Sequence, residues 1–255
     1  MPLEIITIPC RTDNYAFLAH DAVSGDTALI DVPEGPPILA VLAEKGWTLS
    51  HILLTHHHYD HVDGLGEVLE VHKAKVVGAA ADAERLPPLD IAVKEGDEVA
   101  IGSETARVID VSGHTLGHLA FYFEKSKAVF TADSLMALGC GRVFEGTPPQ
   151  MWESLSKLAA LPGDTLVYSG HEYTTNNGEF AMTIEPENPD LIARVADVAA
   201  ARAAGRATVP SLMSLEHATN PFLRAGVANV QKNVGMAGAE PAEVFAEIRA
   251  RKDNF

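Results

Sequence analysis

HILLTHHHYDHVDG, residues 51–64, decides how the chain is to be read. Its first half is a short apolar run of strand character. Its second half packs His56, His57, His58, Asp60 and His61 into six positions. A strand that ends in such a run presents its donors from a loop at the strand's C-terminal end, a common place for sites. Its imidazoles and its carboxylate supply nitrogen and oxygen ligands of the kind that suit zinc, iron or manganese. They exceed what one closed tetrahedral site needs from a single loop, so two ions are the economical reading. A polar surface turn or an affinity tag is the bland alternative, but a tag sits at a terminus and this run is internal.

Working outward, short β-rich runs recur up to about Ser169: LEIITIP, YAFLAH, TALIDV, HILLT, KVVGA, ARVIDV, LAFYF, AVFTA and TLVYS. Helical patterns lie among them over residues 36–45, from His61 to about His72, and over 148–161, where Thr147 is the N-cap and Pro148 the first helical residue. After about His171 the β-branched runs give way to Ala, Arg and Leu at helical spacing, over 189–204, 211–217 and 241–251. The expected division is a β-rich part, 1–171, and a helical appendage, 172–255.

Three later runs repeat the strand-then-donor form. ARVIDVSGHT leads to His114, AVFTAD to Asp133 and TLVYSGH to His171. Singly, each would read as a hydrogen-bonded structural histidine or a turn aspartate. With the loop they become candidate ligands.

The HxHxDH run, followed by GHTLGH, FTADSL and SGHEYT, resembles the metallo-β-lactamase superfamily, and specifically its glyoxalase II family over essentially the whole chain. The resemblance implies an α/β fold, a four-layer αββα sandwich with a small C-terminal helical domain. It further implies that His56, His58 and His114 hold one divalent ion, that Asp60, His61 and His171 hold a second, and that Asp133 bridges them. Zinc is the expected metal, with iron and manganese as alternatives. A hydroxide held between the ions is the implied nucleophile, because two cations bring the pKa of bound water near neutrality. The implied reaction is hydrolysis of S-(2-hydroxyacyl)glutathione, such as S-D-lactoylglutathione, to a 2-hydroxy acid and glutathione, a step of methylglyoxal detoxification. A persulfide dioxygenase with one iron, from the same superfamily, and a silent metal-binding module are the competing readings.

The resemblance also names substrate contacts. The ending RARKDNF matches a segment whose Arg and Lys meet the glycine carboxylate of glutathione, here Arg249 and Lys252. Three apart on a helix, they share a face; without the resemblance they would read as a solvated helix end. CGRVFEGT contributes Arg142 and Phe144 where some members carry Lys and Tyr, so charge is kept while geometry changes and a hydroxyl is lost. Tyr173 in GHEYT is the fifth contact.

His57 is expected to turn away from the metals and His118 to support them, while His20, His51, His72 and His217 lack any motif. Asn14 and Tyr15, in TDNYAF, lie in a segment the family places near the site, and a turn role is the default. Ser134 and Ser169 lack a G-x-S-x-G elbow, and GCGRVFEG lacks the spacing of a dinucleotide loop. A formal charge of −16 argues against nucleic acid as a partner. No apolar run approaches the roughly 20 residues that span a bilayer, and the N-terminus has no signal-peptide pattern. A monomeric cytoplasmic protein is expected, and Cys10 and Cys140, without CxxC spacing, read as packing residues.

Overall fold

The computed structural model describes residues 1–255. By packing, the chain forms two compact units, 1–110 with 116–131 and 111–115 with 132–255.

In the first unit, β1 (Glu4–Cys10), β2 (Asn14–His20) and β3 (Thr27–Ile30) pair antiparallel, after α1 (Gly35–Lys45) the sheet continues parallel. Its further strands are β4 (His51–Leu53), then, past α2 (Tyr59–Val62) and α3 (Leu65–Val71), β5 (Lys75–Ala79) and β6 (Ile91–Val93). The order is that of the sequence, β1 to β6. Every residue of β2 is buried, as expected for a strand covered on both faces. Next come β7 (Glu98–Ile101), β8 (Glu104–Asp110), β9 (Leu119–Phe123) and β10 (Ala128–Ala132), joined antiparallel in sequence order. Phe17 of β2 meets Phe130 of β10 at 5.5 Å between ring centroids, so the two sheets share a core. Helix α1 lies against β1 and α3. Two prolines open α1, and Gly46, left-handed at φ +66°, closes it while Trp47 N–H bonds Leu42 C=O at 3.0 Å.

The helix expected from His61 to His72 is instead two helices broken at 63–64. Gly64 comes so close to the backbone after β3 that a Cβ there would lie 2.6 Å from Glu34 Cα. Its N–H donates to Val32 C=O at 2.9 Å, and Val32 N–H donates to His61 C=O at 2.8 Å. A continuous helix would forfeit both bonds, so backbone docking wins over the apolar periodicity.

The second unit contains β11 (Leu135–Met136), β12 (Gly139–Cys140), α4 (Pro148–Ala159), β13 (Leu166–Ser169), α5 (Thr174–Ile184), α6 (Pro189–Ala203), β14 (Ser211–Leu212), α7 (Met213–Thr219), α8 (Ala228–Asn233) and α9 (Pro241–Asp253). Thr147 caps α4 as expected, its hydroxyl accepting from Gln150 N–H at 3.4 Å. Ser211 and Leu212, expected in a helix, form β14 because they pair with Val167 and Leu166 of β13. Helix α5 was not legible in TTNNGEFAMTI. Gly178 in its middle costs helix propensity but allows contact with α6, where a Cβ would lie 3.1 Å from Val195.

Candidate functional site

The candidate ligands divide between the units, four in the first and three in the second. In the first, the chain leaves β3 at Asp31, a non-glycine residue held left-handed at φ +56°. Its carboxylate organises the ligand loop. Oδ1 accepts from Thr55 N–H at 2.8 Å, and Oδ2 accepts from the Thr55 hydroxyl and from His61 Nδ1, each at 2.8 Å. His56 Nδ1 lies 3.0 Å from the Thr55 oxygen, which can accept from it while donating to Asp31. Both rings therefore spend Nδ1 on the scaffold and keep Nε2 for a ligand, the arrangement by which buried carboxylates orient metal-binding histidines. His56 Nε2 stands 3.2 Å from His58 Nδ1. Roughly 3.3 Å separates neighbouring donors on a tetrahedral ion with bonds near 2.05 Å, so these atoms fit one metal.

Asp60 is steadied from β2. Asn14 Nδ2 donates to the Asp60 carbonyl and to its Oδ2, both at 3.0 Å, and that oxygen lies 3.9 Å from His61 Nε2. Asn14 is thus more than the turn residue expected of it. His57 points elsewhere, its Nδ1 2.7 Å from Asp82, which also accepts from Arg85. The His118 ring stacks on that of His56 at 4.6 Å. Asp31, His56 and His61 also form a group able to hold an ion. Asp31, with both oxygens bonded to Thr55 and His61, is better suited to orienting ligands. Its signal was present in the sequence, since TALID ends in a carboxylate just as AVFTAD does. Asp82 had none.

In the second unit, His114 Nδ1 donates to Arg142 C=O at 2.8 Å, leaving Nε2 3.5 Å from Asp133 Oδ2. His171 Nε2 approaches the same oxygen at 3.3 Å. The backbone enters Asp133 through Ala132, left-handed at φ +42°, and Gly170 N–H bonds Ala132 C=O at 3.0 Å, joining the segments that carry Asp133 and His171. Gly141 seals this corner, since a Cβ there would strike the Asp133 carbonyl. One carboxylate oxygen thus faces two imidazole nitrogens, a donor set for divalent ions.

The candidate substrate residues belong to the same unit. The Phe144 ring, 62% exposed, lies 5.2 Å from that of His114, and Tyr173 stacks on His171 at 4.6 Å. Arg142 has an exposed guanidinium. On α9, Arg249 is buried, donating through Nη1 to Cys140 C=O at 2.9 Å and lying over the Phe222 ring at 5.1 Å. Lys252 Nζ donates to Asn176 C=O at 3.1 Å and to its side-chain oxygen, between the rings of Phe180 and Phe255. Partial burial, then the positive charge of Arg249, pulls the Lys252 pKa down to about 8.

Residues 21–171 match the family model for the metallo-beta-lactamase superfamily, and 172–255 match that for the hydroxyacylglutathione hydrolase C-terminus. A hydroxyacylglutathione hydrolase of Cereibacter sphaeroides is 65% identical over 255 residues, all of both chains. Among solved structures, the BLEG-1 B3 metallo-beta-lactamase superposes with a TM-score of 0.67 at 20% identity, over 86% of this chain and 99% of that one. ETHE1 from Myxococcus xanthus does so with 0.66 at 26% identity, over 99% and 98%. The αββα fold with a C-terminal helical region is the fold of this chain, and its His and Asp groups mark a divalent-metal site. Identity at this level along the entire length shows that the chain belongs to the hydroxyacylglutathione hydrolase family of the metallo-β-lactamase superfamily.

Proposed function

We propose that the protein hydrolyses S-(2-hydroxyacyl)glutathione thioesters, S-D-lactoylglutathione among them, to a 2-hydroxy acid and glutathione. His56, His58 and His114 would hold one divalent ion and Asp60, His61 and His171 a second, with Asp133 available to both; zinc is the metal proposed, with iron or manganese as substitutes. The observation that supports two ions most directly is the single oxygen, Asp133 Oδ2, at 3.5 Å from His114 and 3.3 Å from His171. Bound at these residues, divalent ions would supply a water of near-neutral pKa and positive charge for the oxyanion of an attacked thioester carbonyl.

The chain's own part is to orient and to select. Thr55, Asp31 and the Arg142 carbonyl hold the rings of His56, His61 and His114 by Nδ1, and Asn14 holds the Asp60 carboxylate. Arg249, Lys252 and Arg142 attract the glutathione carboxylates on a chain whose formal charge is −16. Phe144 and Tyr173 offer ring faces beside His114 and His171. The departing thiolate, the base of an acid with a pKa of about 8.5, needs no general acid from the protein.

A monomeric cytoplasmic enzyme is part of this reading. Its two buried thiols are suited to reducing surroundings and are held inert, burial raising Cys10 to about 12 and Cys140 to about 11. No helix is long and apolar enough to cross a membrane. The persulfide dioxygenase and silent-module readings are disfavoured by the whole-length match to hydroxyacylglutathione hydrolases. Protein purified without added metal should contain two ions per chain and cleave S-D-lactoylglutathione. One iron with oxygen consumption, or neither activity, would overturn the proposal.

The Lys252 pKa sets a pH dependence. The ammonium is charged below about pH 8 and loses its charge above it. Arg249 and Arg142 push that pKa down and Glu179 lifts it. For a substrate held by its carboxylate, kcat/KM should fall roughly tenfold above about pH 8, the cost of one such contact. Lys252→Arg should flatten that limb, which a pH profile of kcat/KM would reveal.

A further inference from the structure

Arg249 carries its charge in an unusual circumstance. It is 5% exposed, and its fork is already committed. Nη1 donates to the Cys140 carbonyl, while Nε at 3.1 Å and Nη2 at 2.9 Å converge on one oxygen, Oδ1 of Asp253. Arg142 Nε approaches that same oxygen at 3.7 Å. The edge formed by Nε and Nη2 is the one on which a guanidinium grips a carboxylate with two parallel bonds. Asp253 occupies it.

Helix geometry alone does not account for this aspartate. It is the last residue of α9, where the helix dipole is negative and disfavours a carboxylate. An exposed i,i+4 pair would contribute little, but this pair joins a 40% exposed carboxylate to a buried guanidinium and to a second arginine from another segment. Arg142, Arg249 and Lys252 form a local group of positive charges; Glu179 acts on Lys252, and Asp253 is the anion that contacts both arginines.

We propose that Asp253 is a resident carboxylate that fills the cationic end of the substrate site and must yield its place on Arg249 when a ligand's carboxylate binds, so that it sets how tightly anionic substrates are held. This rests on the assignment of Arg249, Lys252 and Arg142 to substrate made above. The exchange breaks no covalent bond: one carboxylate replaces another on the Nε and Nη2 edge, and the displaced aspartate is left in solvent beside a like charge. Substrate affinity is accordingly lower than the cations alone would give.

The test is Asp253→Asn, which keeps shape and an oxygen acceptor while removing the charge. KM should fall threefold or more for S-D-lactoylglutathione with its glycine carboxylate free, and stay within twofold for the same thioester with that carboxylate amidated. Inhibition by free glutathione should strengthen by the same factor as KM falls. A KM that rises for both substrates would mean that Asp253 only orients Arg249, and a KM unchanged for both would mean that it does not compete; either overturns the proposal. Arg249→Ala separates the premises. If it leaves KM for the ionised thioester unchanged, the substrate assignment itself has failed, whereas a raised KM beside an inert Asp253→Asn condemns only the role of Asp253.

Discussion

Asp133→Ala is expected to lower kcat by at least about a hundredfold, the scale on which a single organised electrostatic group acts in catalysis. Its Oδ2 lies within 3.5 Å of imidazole nitrogens from two separate segments, His114 and His171. Alanine removes a ligand proposed for both ions at once, so bound metal should fall below two per chain. Asp133→Asn retains the volume and one oxygen but not the charge, and should lie between the two. The backbone is spared, because the contact of Gly141 at this corner is with the Asp133 carbonyl. Circular dichroism should therefore match the parent while steady-state kinetics and metal analysis do not. Parent-like kcat with a full metal complement would remove Asp133 from the site.

Glu216→Ala should be the most destabilising single change in the second unit, by about 3–5 kcal/mol. Glu216 is wholly buried in α7. Its carboxylate pairs with Arg194 of α6 and accepts from the Ser211 hydroxyl at 2.6 Å, Leu138 N–H at 2.9 Å and Asn220 Nδ2 at 3.0 Å. Alanine leaves the Arg194 guanidinium, itself 5% exposed, without its counter-charge, and takes from three further donors the acceptor they share. For a unit of this size the melting temperature should drop by about 10 °C. Glu216→Gln keeps an acceptor for several of the donors and should cost less. A melting temperature within 2 °C of the parent for the alanine variant would show that Arg194 finds another partner.

What was legible in the chain follows from the range over which its signals act. The nine β-rich runs became strands because alternation and β-branching are local properties. The seven candidate ligands stood out because each follows such a run closely. Asp31 obeys the same rule at the end of TALI and was passed over, since one aspartate after a strand is ordinary until its partners Thr55 and His61 are placed beside it. Helix α5 and strand β14 were invisible for another reason. Gly178 and Ser211 act through segments distant in sequence, Val195 in one case and Val167 in the other. Glu216 belongs to the same class, as nothing in MSLEHAT separates a buried carboxylate from a solvated one. Asp253 was not singled out, because beside Arg249 alone it reads as an ordinary i,i+4 pair, and its second partner, Arg142, lies more than a hundred residues earlier.

The joint that docks the backbone of the ligand loop beside β3 is made of main chain, through the pair of bonds between Val32 and the peptides of His61 and Gly64. Peptide groups are common to all residues, so this joint is indifferent to the side chains that surround it. Because both bonds use peptide groups, changes of side chain at Val62 leave the joint's own bonds in place, whereas Gly64, pressed against Glu34, has no such freedom. Robustness to mutation in this loop is therefore concentrated in its interior, and fragility at a residue that carries no chemistry at all.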